Sequence, residues 1–460
     1  MRVLFLAAEA APWVKVGGLA DVAGALPAAL RRLDIDVRLM LPRYGTIHPG
    51  QVGLTKILDN FPTPLEWRGE ESQVWGCDEG RTLFVENHHF FGSRGRVYGE
   101  GDDAERFVLF CRAALQACHR AGWMPDVVHA HDWHAAAAVR IAWAAPMRPG
   151  LVFTIHNIAH QGLFGPSKWP LIGVYDAHGP VNLMEQALRT ADVITTVSPT
   201  YADEIRRPEY GLGLDGVLRE RHGRLVGVLN GIDTDDYNPM TERRIAARFS
   251  VDGLDGKAAC KRELQAAMGL PQRPDVPLIG VVTRLDPQKG IDLIVKSFHE
   301  ILHYSDAQMV LLGSGADSYE HSIRMAAAGN PSRIACHIGF NADLARRIYA
   351  GSDMFLMPSS FEPCGLAQMI SMRYGTLPIA RATGGLVDTI TDRGGGSGTG
   401  YLFGRYSKDE MLGAIGRALG DYRHRESWQQ AMRRAMLTDV SWERSARVYA
   451  DIYRWAASVR

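Results

Sequence analysis

Two cations in one short loop are the first residues whose types and spacing could do chemistry. Arg284 and Lys289 lie between an apolar segment, residues 278–282, and a segment with helical periodicity, residues 291–303. Cations at the start of a helix bind anions well, because the helix dipole adds to their charge. The spacing therefore predicts a diphosphate site, although a pair of solvated surface charges could have the same spacing.

Two pairs of glycines predict further anion contacts. Gly17 and Gly18 follow the first apolar segment, with Lys15 close to them in the sequence. Gly384 and Gly385 follow the apolar segment of residues 377–380. Glycine lets a ligand approach the backbone, and the unpaired N–H groups of a first helical turn attract anions. We expect phosphate or sugar contacts there. The alternative for the first pair is a structural turn with a solvated lysine.

One glutamate lies in a loop that follows another apolar segment. Glu362 comes after residues 354–357, and a helix is predicted to begin near Gly365. A carboxylate at this place could bind sugar hydroxyls or stabilise the positive charge that develops at an anomeric carbon. A glutamate at a helix N-terminus also stabilises the helix itself. The residue pattern leaves both interpretations open.

Residues 129–134 contain three histidines and an aspartate. Such a density of ligating side chains suggests a metal, but no second cluster of carboxylates or cysteines supports one, and we do not predict a metal site. The other interpretation is a loop at a strand end that hydrogen-bonds a sugar. His156 and Asn157 end the next apolar segment and are expected on the same rim.

Composition excludes several classes of protein. The 460 residues contain 51 Lys+Arg and 51 Asp+Glu, so no charge excess marks a nucleic-acid-binding surface. No GxxxxGK[ST] string is present, which excludes a P-loop ATPase. A GxGxxG string at 211–216 follows a polar segment rather than a strand, so a dinucleotide-binding turn is not predicted there.

The cysteines and the short apolar runs predict the cellular compartment of the protein. Six cysteines occur without any CxxC pair, which argues against a disulfide framework or a zinc ribbon and favours a reduced compartment. The first apolar run is too short for a signal peptide, and no run approaches the roughly 20 residues of a membrane span. We expect a cytoplasmic protein without a membrane partner.

Apolar segments that alternate with helical patterns predict the α/β class. The segments are apolar throughout, as in parallel strands that are covered on both faces, and they occupy residues 3–7, 37–41, 127–129, 151–155, 193–197, 225–229, 278–282, 309–312, 333–338, 354–357 and 377–380. Turn-forming residues cluster within 225–275, and the alternation restarts after them. We therefore predict two doubly wound domains.

The predicted domains comprise residues 1–226 and 227–440, followed by a terminal helix, residues 441–460. That helix begins after Ser441, a suitable N-cap. Its apolar side chains form one helical stripe that must be buried: Trp442, Ala446, Tyr449, Ile452, Tyr453 and Ala456. Open α/β sheets bind ligands beyond the carboxyl ends of their strands, which is where the motifs above lie.

Taken together, six motifs resemble those of bacterial glycogen synthase and its relative starch synthase, over essentially the whole chain. They are 15–22 (KVGGLADV), 131–134 (HDWH), 154–157 (TIHN), 230–233 (NGID), 284–290 (RLDPQKG) and 362–366 (EPCGL). The resemblance implies a GT-B fold, with two Rossmann-like domains facing a deep cleft and the last helix crossing back to the first domain. It implies retaining transfer of glucose from ADP-glucose to the non-reducing end of an α-1,4-glucan.

The resemblance also implies roles for individual residues. Arg284 and Lys289 would hold the donor diphosphate. Glu362 and His156 would lie at the glucosyl unit, and Asp132 would lie near the reacting centre and the acceptor. Further donor contacts are expected from Lys15, Gly17, Gly18, Phe340, Cys364, Gly365, Leu366, Gly384 and Gly385, with Phe340 against the adenine and Cys364 not a nucleophile. Cleft or acceptor contacts are expected from Asp21, His134, Asn157 and Asn230.

One position departs from the pattern of related retaining enzymes. Many of them have a second glutamate eight residues after the first, but here that position is Ile370. Some other group must therefore contact the ribose. We expect no metal, because Arg284 and Lys289 can supply the positive charge, and no pyridoxal phosphate, because the sequence has no motif for a lysine that carries it. The alternatives are a related enzyme that uses UDP-glucose and a catalytically inactive glucan-binding protein.

Overall fold

The computed structural model describes residues 1–66 and 68–459. The chain divides into two units by its internal contacts: a first unit of Met1–Gly231 with Trp442–Arg460, and a second unit of Ile232–Ser441. The division predicted from the sequence has its boundaries after residues 226 and 440. No helix in the described part of the chain combines the length and the apolar character that a membrane crossing requires.

The first unit is built on a nine-stranded sheet with the strand order β11-β10-β7-β6-β1-β2-β5-β4-β3. The pairs β3–β4 and β4–β5 are antiparallel, and the other pairs are parallel. Its strands are β1 (Arg2–Leu6), β2 (Asp36–Pro42), β3 (Thr55–Leu65), β4 (Arg68–Cys77), β5 (Thr82–Glu86), β6 (Val127–His131), β7 (Gly150–Ile155), β10 (Val193–Thr196) and β11 (Leu225–Gly227); β8 (Leu163–Phe164) and β9 (Val181–Asn182) form a separate pair.

Among the described residues that precede the second unit, eight segments form α-helices. They are α1 (Gly18–Arg31), α2 (Pro49–Val52), α3 (Asp103–Arg120), α4 (Asp132–Trp143), α5 (Leu183–Thr190), α6 (Pro199–Glu204), α7 (Pro208–Gly211) and α8 (Asp215–Glu220). Shorter 3-10 turns occupy Asp78–Gly80, Pro166–Ile172 and His222–Arg224, and a π-helical turn occupies His88–Gly92. Helix α4 begins directly after β6, and α1 follows β1 after the loop of residues 7–17, so both helices start from the carboxyl ends of strands at one edge of the sheet.

The second unit contains a six-stranded parallel sheet with the order β14-β13-β12-β15-β16-β17. Its strands are β12 (Leu278–Val282), β13 (Gln308–Gly313), β14 (Ile334–Ile338), β15 (Met354–Met357), β16 (Leu377–Arg381) and β17 (Tyr401–Phe403). Its helices are α9 (Asp255–Ala267), α10 (Ile291–Tyr304), α11 (Asp317–Gly329), α12 (Ala342–Gly351), α13 (Ala367–Arg373), α14 (Gly384–Thr389), α15 (Lys408–Tyr422) and α16 (Arg425–Leu437), with 3-10 turns at Pro287–Lys289 and Arg393–Gly395.

The last helix, α17 (Trp442–Ser458), packs in the first unit against α1 and β7. All six side chains of its predicted apolar stripe are buried. Tyr453 also has a polar contact inside this core, because its hydroxyl lies 2.8 Å from Nδ1 of His129. The helix therefore contributes both apolar packing and a hydrogen bond beneath the end of β6.

Each large sheet has a point where the strand order reverses. In the first unit, β1 lies between β2 and β6; in the second, β12 lies between β13 and β15. The loops that leave two such neighbouring strands run in opposite directions and open a crevice at the carboxyl ends, which is where open α/β sheets bind ligands. The motifs at residues 15–22, 131–134, 284–290 and 362–366 follow β1, β6, β12 and β15, the strands at these two places.

Candidate active site

The loop after β12 is shaped by an aspartate and a glycine. Asp286 Oδ1 accepts a hydrogen bond from the backbone N–H of Lys289 at 3.1 Å and so caps the short turn Pro287–Lys289. Gly290 follows with φ 70°, and a Cβ at this position would lie 2.1 Å from the carbonyl oxygen of Pro358. Only glycine fits this close approach. The loops after β12 and β15 are therefore held together.

The close approach brings the two predicted charges into contact. Lys289 Nζ lies 2.6 Å from Glu362 Oε2, and these side chains are only 19% and 8% exposed. The same carboxylate oxygen accepts a hydrogen bond from Ser359 Oγ at 3.0 Å. The largely buried carboxylate is thus paired with an ammonium and a hydroxyl, and charge-assisted contacts of this kind are strong. The arrangement offers one cation and one anion at the same point of the crevice.

A cavity of about 90 Å³ lies beside this pair, at the reversal of strand order between β12 and β15. Its walls are the ends of both strands and the start of α13: Val281, Val282, Thr283, Lys289, Leu356, Met357, Ser359, Glu362, Gly365, Leu366 and Ala367. Most of these side chains are apolar, and the charges come from Lys289 and Glu362. A small apolar crevice with a few convergent polar groups is typical of a ligand site.

The second glycine pair supports the loop of Glu362. The N–H of Gly385 lies 3.2 Å from the carbonyl oxygens of both Glu362 and Pro363. A Cβ on Gly384 would lie 2.0 Å from the Glu362 oxygen, and one on Gly385 would lie 2.3 Å from the Cys364 oxygen. The Gly385 N–H thus bonds to the protein itself in this structure, and the anion contact predicted for it stays a prediction.

A buried glutamine, which the sequence analysis did not single out, holds the end of this loop. Gln368 Nε2 donates to the carbonyl oxygens of Cys364 and Gly365 at 2.9 and 3.0 Å. Gly365 has φ 72°, where glycine is favoured, and Cys364 is buried. Ile370, the position that departs from the related enzymes, is buried two residues further along α13. It packs as a core residue.

Two predicted donor residues of the second unit lie away from the cavity. The side chain of Arg284 is 64% exposed and pairs with Asp286 at 3.3 Å. Phe340 is 87% exposed and follows β14, the edge strand farthest from β15 on that side of the sheet. Neither residue lines the cavity. Their predicted roles at the diphosphate and the adenine stay predictions.

In the first unit, the corresponding crevice contains Asp132 and His156. Asp132 starts α4 with φ 56°, an uncommon conformation for an aspartate. Its Oδ1 accepts a hydrogen bond from the backbone N–H of His156 at 2.8 Å. The His156 ring in turn lies against His131, with Nε2 2.9 Å from His131 Nδ1. The two strand ends are thus joined by a main-chain contact and a side-chain contact.

Burial alters the protonation of these groups. It raises the pKa of Asp132 to about 7, although the backbone N–H groups of His156 and Asn157 oppose the shift. It lowers the pKa of His156 to about 3 and lowers those of His131 and His134 well below their usual value. The three imidazoles are therefore neutral at physiological pH. A carboxyl that titrates near neutrality in such a crevice is a candidate for a functional role.

Glu9, at the end of β1, was missed by the sequence analysis. Its Oε2 accepts hydrogen bonds from the backbone N–H groups of Val16 and Gly17 at 2.5 and 2.9 Å. Burial raises its pKa, while these bonds and one to the Tyr98 hydroxyl lower it in part. The Gly17 N–H is therefore occupied by a carboxylate of the protein. Glu9 holds the glycine turn that precedes α1.

The remaining predicted residues of the first unit surround this crevice. Lys15 Nζ pairs with Asp21 Oδ1 at 2.6 Å, and both side chains are partly exposed. Gly18 is the first residue of α1. The His134 ring is buried and stacks on Tyr98 with ring centroids 4.4 Å apart.

Two asparagines were predicted to line the cleft. Asn157 Oδ1 accepts the N–H of Ala159 at 3.0 Å and stabilises the turn after β7. Asn230 is buried near the end of the first unit, and its Oδ1 has no hydrogen-bond partner among the described residues. Asn157 thus has a local structural contact, whereas Asn230 keeps an acceptor free. Within residues 1–66 and 68–459, no group of three or more His, Cys, Asp or Glu side chains is arranged to hold a metal ion.

Comparison with known proteins identifies the family. Residues 2–220 match the family described as starch synthase catalytic domain, and residues 268–435 match glycosyl transferases group 1. A glycogen synthase from an Anaeromyxobacter species is 47% identical, with 100% of both chains covered. One from Geobacillus thermodenitrificans is 44% identical, with 98% of this chain and 97% of the relative covered.

A solved structure extends the comparison to the fold. The catalytic domain of Starch Synthase IV from Arabidopsis thaliana, bound to ADP and acarbose, superposes with a TM-score of 0.92 at 34% identity and covers 99% of both chains. The prediction of two Rossmann-like domains, the GT-B fold, is confirmed. The chain belongs to the glycogen synthase and starch synthase family of glycosyltransferases.

Proposed function

We propose that this glycosyltransferase moves glucose from ADP-glucose to the non-reducing end of an α-1,4-glucan, with retention at the anomeric carbon and release of ADP. The observation that carries the proposal is the Lys289–Glu362 pair beside the cavity between β12 and β15. The related Starch Synthase IV structure is bound to ADP and acarbose, which supports a nucleotide sugar and a glucan as the two substrates.

The cations serve the leaving group in this proposal. As the bond between glucose and the diphosphate breaks, negative charge grows on the diphosphate, and positioned cations stabilise it. Lys289 is held at the cavity by the capped turn and by its ion pair with Glu362. Arg284, on the same loop, adds a second positive charge. We assign Lys15 of the first unit as the third cation for the diphosphate.

The carboxylate serves the sugar. The glucosyl centre gains positive charge in the transition state, and a nearby carboxylate stabilises it. Glu362 is held in place by Lys289 and by Ser359. When a diphosphate binds Lys289, the carboxylate exchanges one of its partners and becomes available to the sugar. We assign Asp132 and His156 of the first unit to the same glucosyl unit and to the acceptor.

Neither a metal ion nor pyridoxal phosphate is part of the proposal, because Lys289 and Arg284 can supply the charge that a metal would otherwise supply. A cytoplasmic location, and the absence of nucleic-acid and membrane partners, stay predictions from the sequence. The ribose contact also stays open to experiment, since Ile370 lies in the core.

The test is glucosyl incorporation into glycogen, with ADP-glucose and UDP-glucose compared in parallel and EDTA present. We expect transfer from ADP-glucose that EDTA does not reduce. Preference for UDP-glucose would keep the reaction but refute the donor, and dependence on added metal would refute the cation-based mechanism. Binding of glycogen without transfer from either donor would favour the inactive glucan-binding protein.

Matched lysine variants make the same assay specific for the site. Lys289→Met removes the cation at the cavity, whereas Lys296→Met removes an exposed lysine on α10 that pairs with Asp292. We expect the first variant to lose transfer and the second to retain it. Equal activity of the two variants would remove Lys289 from the diphosphate site.

A further inference from the structure

Two histidines at the ends of neighbouring strands form one hydrogen bond between their rings, and a single proton lies between the two nitrogens. His131 is the last residue of β6, and His156 directly follows β7. Nδ1 of His131 and Nε2 of His156 are 2.9 Å apart. Burial lowers the pKa of both rings, so both are neutral. A neutral imidazole has one donor and one acceptor nitrogen, and therefore one ring must donate to the other.

The surroundings of His131 decide which of the two rings donates the hydrogen bond. The residue is fully buried, and its ring stacks on Phe5 with centroids 4.0 Å apart. His129 contacts it at the same centroid distance. The second ring nitrogen of His131, Nε2, is buried and has no hydrogen-bond partner among the described residues. Aromatic neighbours thus surround a ring of which only Nδ1 makes a hydrogen bond.

The two possible directions of this hydrogen bond leave different atoms of His131 without a partner. If His156 donated, the proton of His131 would lie on Nε2 as a buried N–H without an acceptor. If His131 donates, its Nε2 carries no proton and is only an unused acceptor. Orphaned buried N–H groups are rarer in proteins than under-used acceptors, because a buried donor loses its water partner without a replacement.

We infer that His131 donates its Nδ1 proton to Nε2 of His156 and thereby holds His156 in the tautomer that carries its proton on Nδ1. Oδ1 of Asp132 accepts a hydrogen bond from the backbone N–H of His156 at 2.8 Å. Two consecutive residues therefore fix both the main chain and the ring of His156. His131 is a positioning residue, because it acts on the site only through His156.

The tautomer decides what His156 can recognise. Its only ring nitrogen outside the histidine pair becomes a donor, which suits a hydroxyl oxygen of a sugar that acts as an acceptor. That ligand rests on the proposed function, whereas the tautomer does not. The two can therefore fail separately: a wrong function would show as absent glucosyl transfer by the unaltered enzyme, and a wrong tautomer would show in the rings themselves.

Nitrogen NMR tests the tautomer directly. The full chain is labelled with ¹⁵N-histidine, and two-bond ¹H–¹⁵N correlations are recorded near pH 7 without ligand, with the signals of His156 and His131 assigned from His156→Gln and His131→Asn. We expect protonated Nδ1 and unprotonated Nε2 in both rings. A protonated Nε2 in His156 would overturn the inference.

A pair of variants with the same shape tests the consequence. Asparagine can place an amide N–H where Nδ1 of His131 lies, whereas leucine has nearly the same shape and no donor. We expect His131→Asn to retain about tenfold higher kcat/KM for glucosyl transfer than His131→Leu, the usual effect of one hydrogen bond. Equal kcat/KM in two folded variants would overturn the positioning role. If the variants do not fold, the NMR result on the unaltered chain decides.

Discussion

Replacement of Asp132 by asparagine is expected to stabilise the protein at alkaline pH, although it removes a residue of the candidate site. The carboxyl is buried at the end of β6, and its pKa of about 7 lies above the ordinary value of 3.8. The folded protein therefore keeps a proton that the unfolded chain releases. As the pH rises from about 4 to 7, the free energy of unfolding falls, and below pH 4 this loss is absent.

The structure sets the size of the effect. At 1.36 kcal/mol for each pKa unit, a rise from 3.8 to about 7 corresponds to about 4 kcal/mol of lost stability above pH 7. Asparagine removes this cost, and its amide oxygen can still accept the backbone N–H of His156. For a unit of this size, about 4 kcal/mol corresponds to a rise in Tm of roughly 10 °C. This is an upper value, because neighbouring groups relax.

The assay is thermal unfolding of the unaltered chain and Asp132→Asn between pH 5 and pH 8. We expect a higher Tm for the variant at both pH values, with a clearly smaller gain at pH 5, where only part of the loss has accumulated, than at pH 8. Asp126→Asn is the control in the same unit. Partial burial raises the pKa of Asp126, but hydrogen bonds from Arg2 lower it overall, so its replacement should reduce stability at pH 8. An equal gain for Asp132→Asn at both pH values would refute the electrostatic reasoning.

Three further predictions concern the second unit. Glu362→Ala should lower kcat of glucosyl transfer about 1000-fold with the fold intact; near-normal turnover in a variant with an unchanged circular dichroism spectrum would refute its role. Lys289→Ala should raise the KM for ADP-glucose and lower kcat, and unchanged steady-state kinetics would contradict its place at the diphosphate. Gly290→Ala should cost about 3 kcal/mol or more in denaturant unfolding, because its Cβ would meet the Pro358 oxygen. Gly329→Ala, which has open space around it, is the control and should unfold almost as the unaltered chain does.

Most of the parallel strands were predicted from the sequence because they are covered on both faces, although the parallel strands β5 and β17 were not predicted. Runs such as Val3 to Leu6 are apolar at every position, and the structure buries them completely. The antiparallel strands β3 and β4 were not predicted. Their side chains alternate between buried and exposed or are largely exposed, so no continuous apolar run marks them. Strands of this kind depend on pairing with a neighbour more than on their own composition.

The candidate site was only partly predictable. Lys289 and Glu362 were identified separately, but their contact depends on β12 and β15 being neighbours in the sheet. Glu9 gave no sequence signal, because one glutamate after a strand is common; its function as a cap appears only when the chain folds back at Val16 and Gly17. The glycine pairs were correctly placed at helix starts, whereas two of their N–H groups bond to the protein itself.

By itself, the sequence determined the α/β class, the family and the loops that carry the charged and polar residues, because local apolar periodicity and short motifs are written in consecutive residues. Only the tertiary structure decided which of those residues meet. The pairing of Lys289 with Glu362 and of His131 with His156 depends on strand order, and the pKa of Asp132 depends on burial by distant segments. Strand order and burial are properties of long-range packing, which no local pattern of residues specifies.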